Sequence, residues 1–399
     1  MHETVRGQDS PWQVFLIFLR LGCTSFGGPI AHLGYFRQAF VTRRRWLDES
    51  AYAELVALCQ LLPGPTSSQV GMALGLGRAG GWGLLAAWLG FTLPSALLLI
   101  LCALGLARYP QLADSAVIHG LKVFAVAVVA QAVWGMGRTL CPDVRRRLLA
   151  LLVAGLALGL PGPAGQLLGL GLAALAGCLL LTPPATPPGL SLHPGLSRRR
   201  GGLALVCFVL PLLLLPLWHA LTNAPGLALA AGVYRAGALV FGGGHVVLPL
   251  LQGVVAPGGL VSDAQVLAGY GLAQAVPGPL FTFAAYLGAL VPGALPAWLN
   301  GLLWTLLIFL PGALVLLAAL PFWQGLRQHH GWQRALSGLN AGVVGILLAA
   351  LYDPVWTGAI QGLADVVLAL IALALLLKTA WSPLAVALLV VLIRICLNF

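Results

Sequence analysis

Arginines, paired glycines and Pro-Gly-Pro tripeptides recur in this chain at matching positions, about 215 residues apart and inside otherwise apolar sequence. The first set is Arg20, Gly22, Phe26-Gly27-Gly28, Gln60 and Pro63-Gly64-Pro65. The second is Arg235, Gly237, Phe241-Gly242-Gly243, Gln274 and Pro277-Gly278-Pro279. Together these residue types can hold an anion. Arginine is a permanent cation with several donors. Proline ends one helix because it lacks a donor, and it suits the first turn of the next. The new N-terminus then offers unpaired amides and a partial positive charge. In the first copy Thr66, Ser67, Ser68 and Gln69 add hydroxyls and an amide at that terminus, whereas in the second the nearest hydroxyl is Thr282. Duplicated helix breaks in apolar sequence suggest a transporter built from internal repeats, with its site at the interruptions.

Arg20 stands about eight residues into its helix, hence roughly 12 Å deep and near the middle of a ~30 Å hydrocarbon core. An arginine there costs at least about 2.5 to 3.5 kcal/mol on insertion scales and is retained to face a cavity or an anion, or else to bond carbonyls freed at the breaks. Gln60 and Gln274 precede the two tips by three residues, and Gln38 and Gln252 lie in the other arms. Such amides contact substrate or tie backbone across a break. Thr24, Ser25 and His245 flank the glycine pairs, and His245 is a candidate proton carrier. Of the 10 acidic residues, only Glu54 and Asp365 lie well inside apolar sequence. Glu54, on the arm leading to Gln60, is the second candidate for proton coupling, or a partner for an arginine.

The elements that must position these residues are helices in a membrane. The chain is 60% hydrophobic and 8% charged, with a mean hydropathy of +0.96, far from the quarter charged of soluble domains. Runs such as 81–107 and 295–322 exceed the ~20 residues a helix needs to span, and strands of a barrel would alternate instead. The expected fold is an all-α polytopic membrane protein with two internal repeats, inverted relative to one another, each carrying two interrupted or re-entrant hairpins followed by transmembrane helices. The hairpins are expected at 12–42 and 48–78, and at 228–256 and 262–292. Spans follow at 81–107, 113–136, 146–161 and 164–182, then at 295–322 and beyond. A proline-rich linker at 182–200 and one extra span at 201–222 join the halves. The resulting domains are 1–182, a connecting segment 183–224, and 225–399.

Basic clusters at 43–45, 145–147 and 198–200 fall on one side in this topology, as do Arg78, Arg327, Arg334 and Lys378. The other reading of the interrupted segments, as broken helices that cross fully, leaves the relative orientation of the halves open. The net charge of +11 is thereby accounted for by cytoplasmic loops, not by nucleic acid. Seven cysteines without a CxxC pair read as buried apolar residues, with no metal and no cofactor expected. No HExxH, GxSxG or phosphate-loop pattern is present, so an enzyme is not expected. The first ten residues do not read as a signal peptide.

Four segments carry a family resemblance: residues 18–36 (FLRLGCTSFGGPIAHLGYF), 44–49 (RRWLDE), 58–71 (LCQLLPGPTSSQVG) and 87–95 (AWLGFTLPS). They closely resemble the chromate ion transporter family, and FGGGH at 241–245 with QAVPGP at 274–279 resembles its C-terminal copy. The resemblance implies a long, two-domain protein of the bacterial inner membrane that exports chromate, is driven by the proton motive force and confers chromate resistance. Its partners would be chromate, protons and the lipid bilayer, and a homo-oligomer is compatible with it. Chromate is a tetrahedral dianion shaped like sulfate, so two arginines and helix-end amides make a chemically sensible site. The same chemistry suits a sulfate-type oxyanion transporter, and the direction of flux, including import, is not written in the sequence.

Overall fold

The computed structural model describes residues 9–109, 115–160, 163–182, 196–241, 244–257, 259–323, 329–379 and 381–397. Gly242, Gly243 and most of the proline-rich linker lie outside these. Every described element is helical. Helix α1 (Pro11–Thr24) starts at a capping box in which Ser10 and Gln13 satisfy each other's backbone amides, and Pro11 occupies the first turn. It stops before Gly27, whose φ of +96° makes the turn into α2 (Gly28–Phe36). A wide turn over Arg37–Arg43 follows. Asp48 caps α3 (Glu49–Leu61), which ends at the first Pro-Gly-Pro tip. The next helix, α4 (Thr66–Arg108), is two helices in one.

The bend in α4 lies at Ala79 and Gly80, where Gly80 has φ +64°, a conformation that L side chains rarely adopt. Residues 66–78 fold back there against 81–108. Gly75 and Gly83 meet so closely that a Cβ on either would strike the other's carbonyl oxygen. The expected end of the second hairpin and the start of the first full span therefore appear where the glycines allow backbones to touch.

After α5 (Ala116–Leu140) come α6 (Val144–Gly159) and α7 (Pro163–Leu180). These two, at 16 and 18 residues, rise only about 24 and 27 Å and fall short of the ~30 Å core. The connecting helix α8 (Arg198–Thr222) is apolar and only 6% of its apolar window is buried, so it faces lipid while resting on one side of the bundle. The second half then repeats the order: α9 (Pro225–Leu239), α10 (Val247–Val255), α11 (Asp263–Ala275), α12 (Phe283–Leu290) and α13 (Ala297–Ala319). Three further helices are α14 (His330–Ala350), continued by turns to Ala359, α15 (Leu363–Lys378) and α16 (Pro383–Leu397). Five helical stretches among the described residues are long and apolar enough to span a membrane, namely Thr66–Arg108, Ala116–Leu140, Arg198–Thr222, Ala297–Phe322 and His330–Ala359.

The halves interlock. Helix α14 of the second half packs on α6 and α7 of the first, while α5 of the first packs on α15 and α16 of the second. Small residues make these crossings close: Gly177 against Gly338, Gly345 against Ala150, and Gly120 against Val391. The larger apolar core runs through α4, α5, α11, α12, α13 and α14 and so draws on both halves, while a second gathers α1, α2, α3 and α4 around Phe18, Phe36 and Phe91 with the end of α13. At one end, Arg78 pairs with Asp9 at 2.8 Å and lies over the Trp46 ring. The start of α1, the bend in α4 and the 43–46 loop are thereby gathered at the same end of the molecule.

Candidate functional site

Each Pro-Gly-Pro tip meets, crosswise, the residue that precedes the glycine pair of the opposite half. Gly64 N, in the first Pro-Gly-Pro, donates to Val240 O, just before the second glycine pair, at 2.7 Å. Gly278 N, in the second Pro-Gly-Pro, donates to Ser25 O, just before the first glycine pair, at 3.0 Å. The two bonds join equivalent positions in the two copies. Both tip glycines have positive φ, +119° for Gly64 and +110° for Gly278. A Cβ on Gly64 would meet Gly312 Cα at 2.8 Å, and one on Gly278 would meet Ser95 Oγ at 2.6 Å. Each tip is therefore lodged against a proline-containing helical segment, Pro311-Gly312 or Pro94-Ser95, of the opposite half. Gln69 reinforces this join, because its Nε2 donates to Pro63 O at 2.8 Å and to Gly312 O at 3.0 Å.

Around the first break lies a compact polar cluster. His32 is buried, with Nε2 at 3.2 Å from Ser25 O and Nδ1 at 3.4 Å from Ser67 Oγ. A carbonyl only accepts, so the ring carries its proton on Nε2 and takes a bond from Ser67 on Nδ1. The Ser25 carbonyl thus accepts from both His32 and Gly278. Helix α4 begins beside this cluster, and its backbone bonds start only with Gln69 N to Pro65 O. The amides of Thr66, Ser67 and Ser68 accordingly have no acceptor within the helix. The hydroxyl oxygens of Ser25, Ser68 and Thr92 are buried with no hydrogen-bond partner among the described residues. Buried hydroxyls are normally satisfied, so orphaned donors beside a helix N-terminus mark a place suited to an anion.

The second break is more closed. His245 Nδ1 lies 2.9 Å from Tyr270 Oη and 3.1 Å from Gln274 Nε2. An amide nitrogen only donates, so Nδ1 is the acceptor. Thr282 spends its hydroxyl on Pro279 O at 2.7 Å.

Other expected site residues stand apart from this centre. Arg20 and Arg235 are exposed, and no hydrogen bond or ion pair joins either guanidinium to a described residue. The reason lies two residues on: Gly22 packs against the Gly90 and Phe91 backbone, and Gly237 against Ile308 O. Residues i and i+2 point about 200° apart on a helix, so packing the glycine turns the arginine outward. Gln60 is exposed as well, whereas Gln274 is buried. Glu54 Oε1 accepts from Trp323 Nε1 at 2.9 Å, a bond from α3 to the end of α13. Gly242 and Gly243 lie outside the described residues. Three participants escaped the sequence reading: His32, Thr92 and Tyr270. His32 stands four residues after Gly28 within a motif already singled out, and that spacing is the one signal that could have found it.

The comparisons agree with this two-copy arrangement. A family profile described as Chromate transporter matches residues 12–182 and again 227–395. The chain belongs to the chromate transporter family. The chromate transport protein of Pseudomonas aeruginosa is 27% identical over 361 residues, 86% of this chain and 80% of that protein. The chromate transport protein of Cupriavidus metallidurans is 28% identical over 378 residues, 92% of this chain and 88% of that one. A probable chromate transport protein of Synechococcus elongatus is 29% identical over 359 residues, 88% and 82% of the two. No solved structure matches. This chain is thus a multi-pass membrane protein of a chromate-transporting family.

Proposed function

We propose that this protein is a secondary active transporter that exports chromate across the bacterial inner membrane, driven by the proton motive force, and so confers chromate resistance. The observation that carries the reading is the set of orphaned buried hydroxyls of Ser25, Ser68 and Thr92, together with the free first-turn amides of α4, where the first Pro-Gly-Pro tip meets Val240 and Ser25 meets the second tip. A tetrahedral dianion offers acceptors in several directions, and a site of fixed donors in a dry interior holds it more strongly than water-exposed groups would. In this reading Thr66, Ser67 and Ser68 supply donors, Gly27 and Gly28 let the backbone approach, and Gln69 holds the tip of Pro63, Gly64 and Pro65. Gln274 and the second tip, Pro277, Gly278 and Pro279, close the site from the other half, with Gly242 and Gly243 the counterparts of Gly27 and Gly28. Arg20 and Arg235 attract the anion along its path, Gln60 lines that path, and Glu54 and His245 carry protons. Domains 1–182 and 225–399 rock against one another about the crosswise bonds, with 183–224 as connector.

The test is chromate uptake into everted membrane vesicles, with and without a protonophore and with sulfate as competitor. Wild type is compared with Arg20→Gln and Arg235→Gln at matched expression. Uptake that collapses with the protonophore and falls at least tenfold in both variants is expected. Uptake unchanged in both would remove the arginines from the path. Sulfate-saturable uptake with no chromate uptake would replace chromate by sulfate as the cargo.

A further inference from the structure

A second polar cluster joins the two halves. His119 near the start of α5 places Nε2 at 3.0 Å from Asp365 Oδ1, near the start of α15. Arg394, near the end of α16, holds Nε at 3.5 Å from the same oxygen, an ion pair without a hydrogen bond. The other carboxylate oxygen accepts from Gln361 N at 3.0 Å. Asp365 is 2% exposed and His119 8%. Lys122, one turn along α5, is equally buried. Other ionisable groups on the packed elements face elsewhere. Tyr270 on α11 faces His245. Tyr352 and Asp353 are exposed, and Asp353 accepts from Thr357. The ionisable groups of α14, His330 and Arg334, lie at its first turns.

We propose that the His119–Asp365 pair is a further proton-binding site of transport, beside Glu54 and His245, loaded from the face opposite the basic loops. The proposal rests on the proton-driven reading above. Three features support it. First, α5 begins at this cluster and ends at Leu140, shortly before the arginines at 145–147; its 25 residues rise roughly 37 Å. By the charge rule the basic end is cytoplasmic, so the pair sits where external protons arrive. Second, Asp365 already has a cation in Arg394, so a structural tie needs no histidine; imidazole adds a second nitrogen that can take a proton while the first keeps its bond. The neutral ring donates its Nε2 proton to Asp365 and takes the incoming proton on Nδ1, becoming imidazolium without breaking that bond. Third, the pair spans the interface between halves, α5 on one side and α15 and α16 on the other. A new positive charge in a buried contact must be compensated, and the slack Arg394–Asp365 pair is the contact free to rearrange. Proton loading is thereby linked to the relative position of the halves.

The experiment compares wild type with His119→Asn and Asp365→Asn in two assays at matched expression. Chromate counterflow, with no proton gradient, should stay within threefold of wild type. Accumulation driven by an imposed pH difference should fall at least tenfold, and its dependence on pH should flatten. An unchanged pH profile and undiminished gradient-driven accumulation in both variants would overturn the proposal, as would loss of counterflow in step with accumulation in folded protein. If wild type itself shows no gradient-driven chromate accumulation, the proton-driven reading fails and this proposal with it. Should both variants fail to fold, the wild type alone decides. Adding chromate to the purified, weakly buffered protein should release or take up protons, and no proton exchange at any pH tested would refute the assignment.

Discussion

Ser68→Ala separates an anion donor from a packing hydroxyl, because the two roles predict opposite signs. The Ser68 hydroxyl is 2% exposed by residue and has no described partner. A buried unsatisfied polar group costs the fold about 1–3 kcal/mol, so replacing it with a methyl should stabilise the ligand-free protein by an amount in that range. If the same hydroxyl donates to bound chromate, its loss removes a charge-assisted bond worth about 1.5–3 kcal/mol, or roughly 10- to 150-fold in affinity. The assay is paired: thermal unfolding in detergent without anion, and KM for chromate in everted vesicles. The expected result is a raised Tm with a KM at least tenfold higher, while Ser67→Ala, which also loses its bond to His32 Nδ1, lowers both stability and affinity. A KM within threefold of wild type would refute the role of Ser68 as donor. A fall in Tm would refute the claim that the hydroxyl is unsatisfied.

Three further outcomes are expected. Gly278→Ala puts a methyl at φ +110° against Ser95 Oγ and should cost at least about 1–2 kcal/mol from backbone strain alone and slow uptake severalfold; Gly77→Ala, where nothing lies within 4 Å, should be neutral or stabilising by up to about 1 kcal/mol, both read as shifts in thermal unfolding. Trp323→Phe removes the donor to Glu54 Oε1 and should destabilise the protein by about 1.5–3 kcal/mol, the range for a hydrogen bond to a charged group, measured by the same scan. Asp143 caps α6 by accepting from Arg146 N at 2.9 Å, which holds its carboxyl below the usual range. Asp143→Ala should therefore cost about 0.5–2 kcal/mol at neutral pH. A depressed carboxyl stabilises above its unfolded pKa and loses that effect as pH falls through its folded value, so the difference between wild type and variant should hold from neutral pH down to the ordinary carboxylate range and shrink only in more acid solution, which an unfolding series extended below that range would reveal.

What the sequence determined by itself is local and repetitive. Hydropathy fixed an all-α membrane protein because length and apolarity alone decide whether a helix can cross. The Pro-Gly-Pro and Gly-Gly pairs fixed where helices stop, since proline's missing donor and the positive φ of glycine act through the nearest few residues. The bend at Ala79 and Gly80 falls between the expected segments 48–78 and 81–107. Tertiary structure decided which stops meet. That Gly64 reaches Val240 and Gly278 reaches Ser25 depends on how two halves interlock through glycine contacts far apart in sequence. The same packing turned Arg20 and Arg235 outward, because Gly22 and Gly237 claimed the inner face of their helices. It drew His32 inward beside Ser67, and it set His119 against Asp365 across 246 residues of chain. A single sequence carries the helical period that places neighbours on a face, but the partner across that face is chosen by long-range packing.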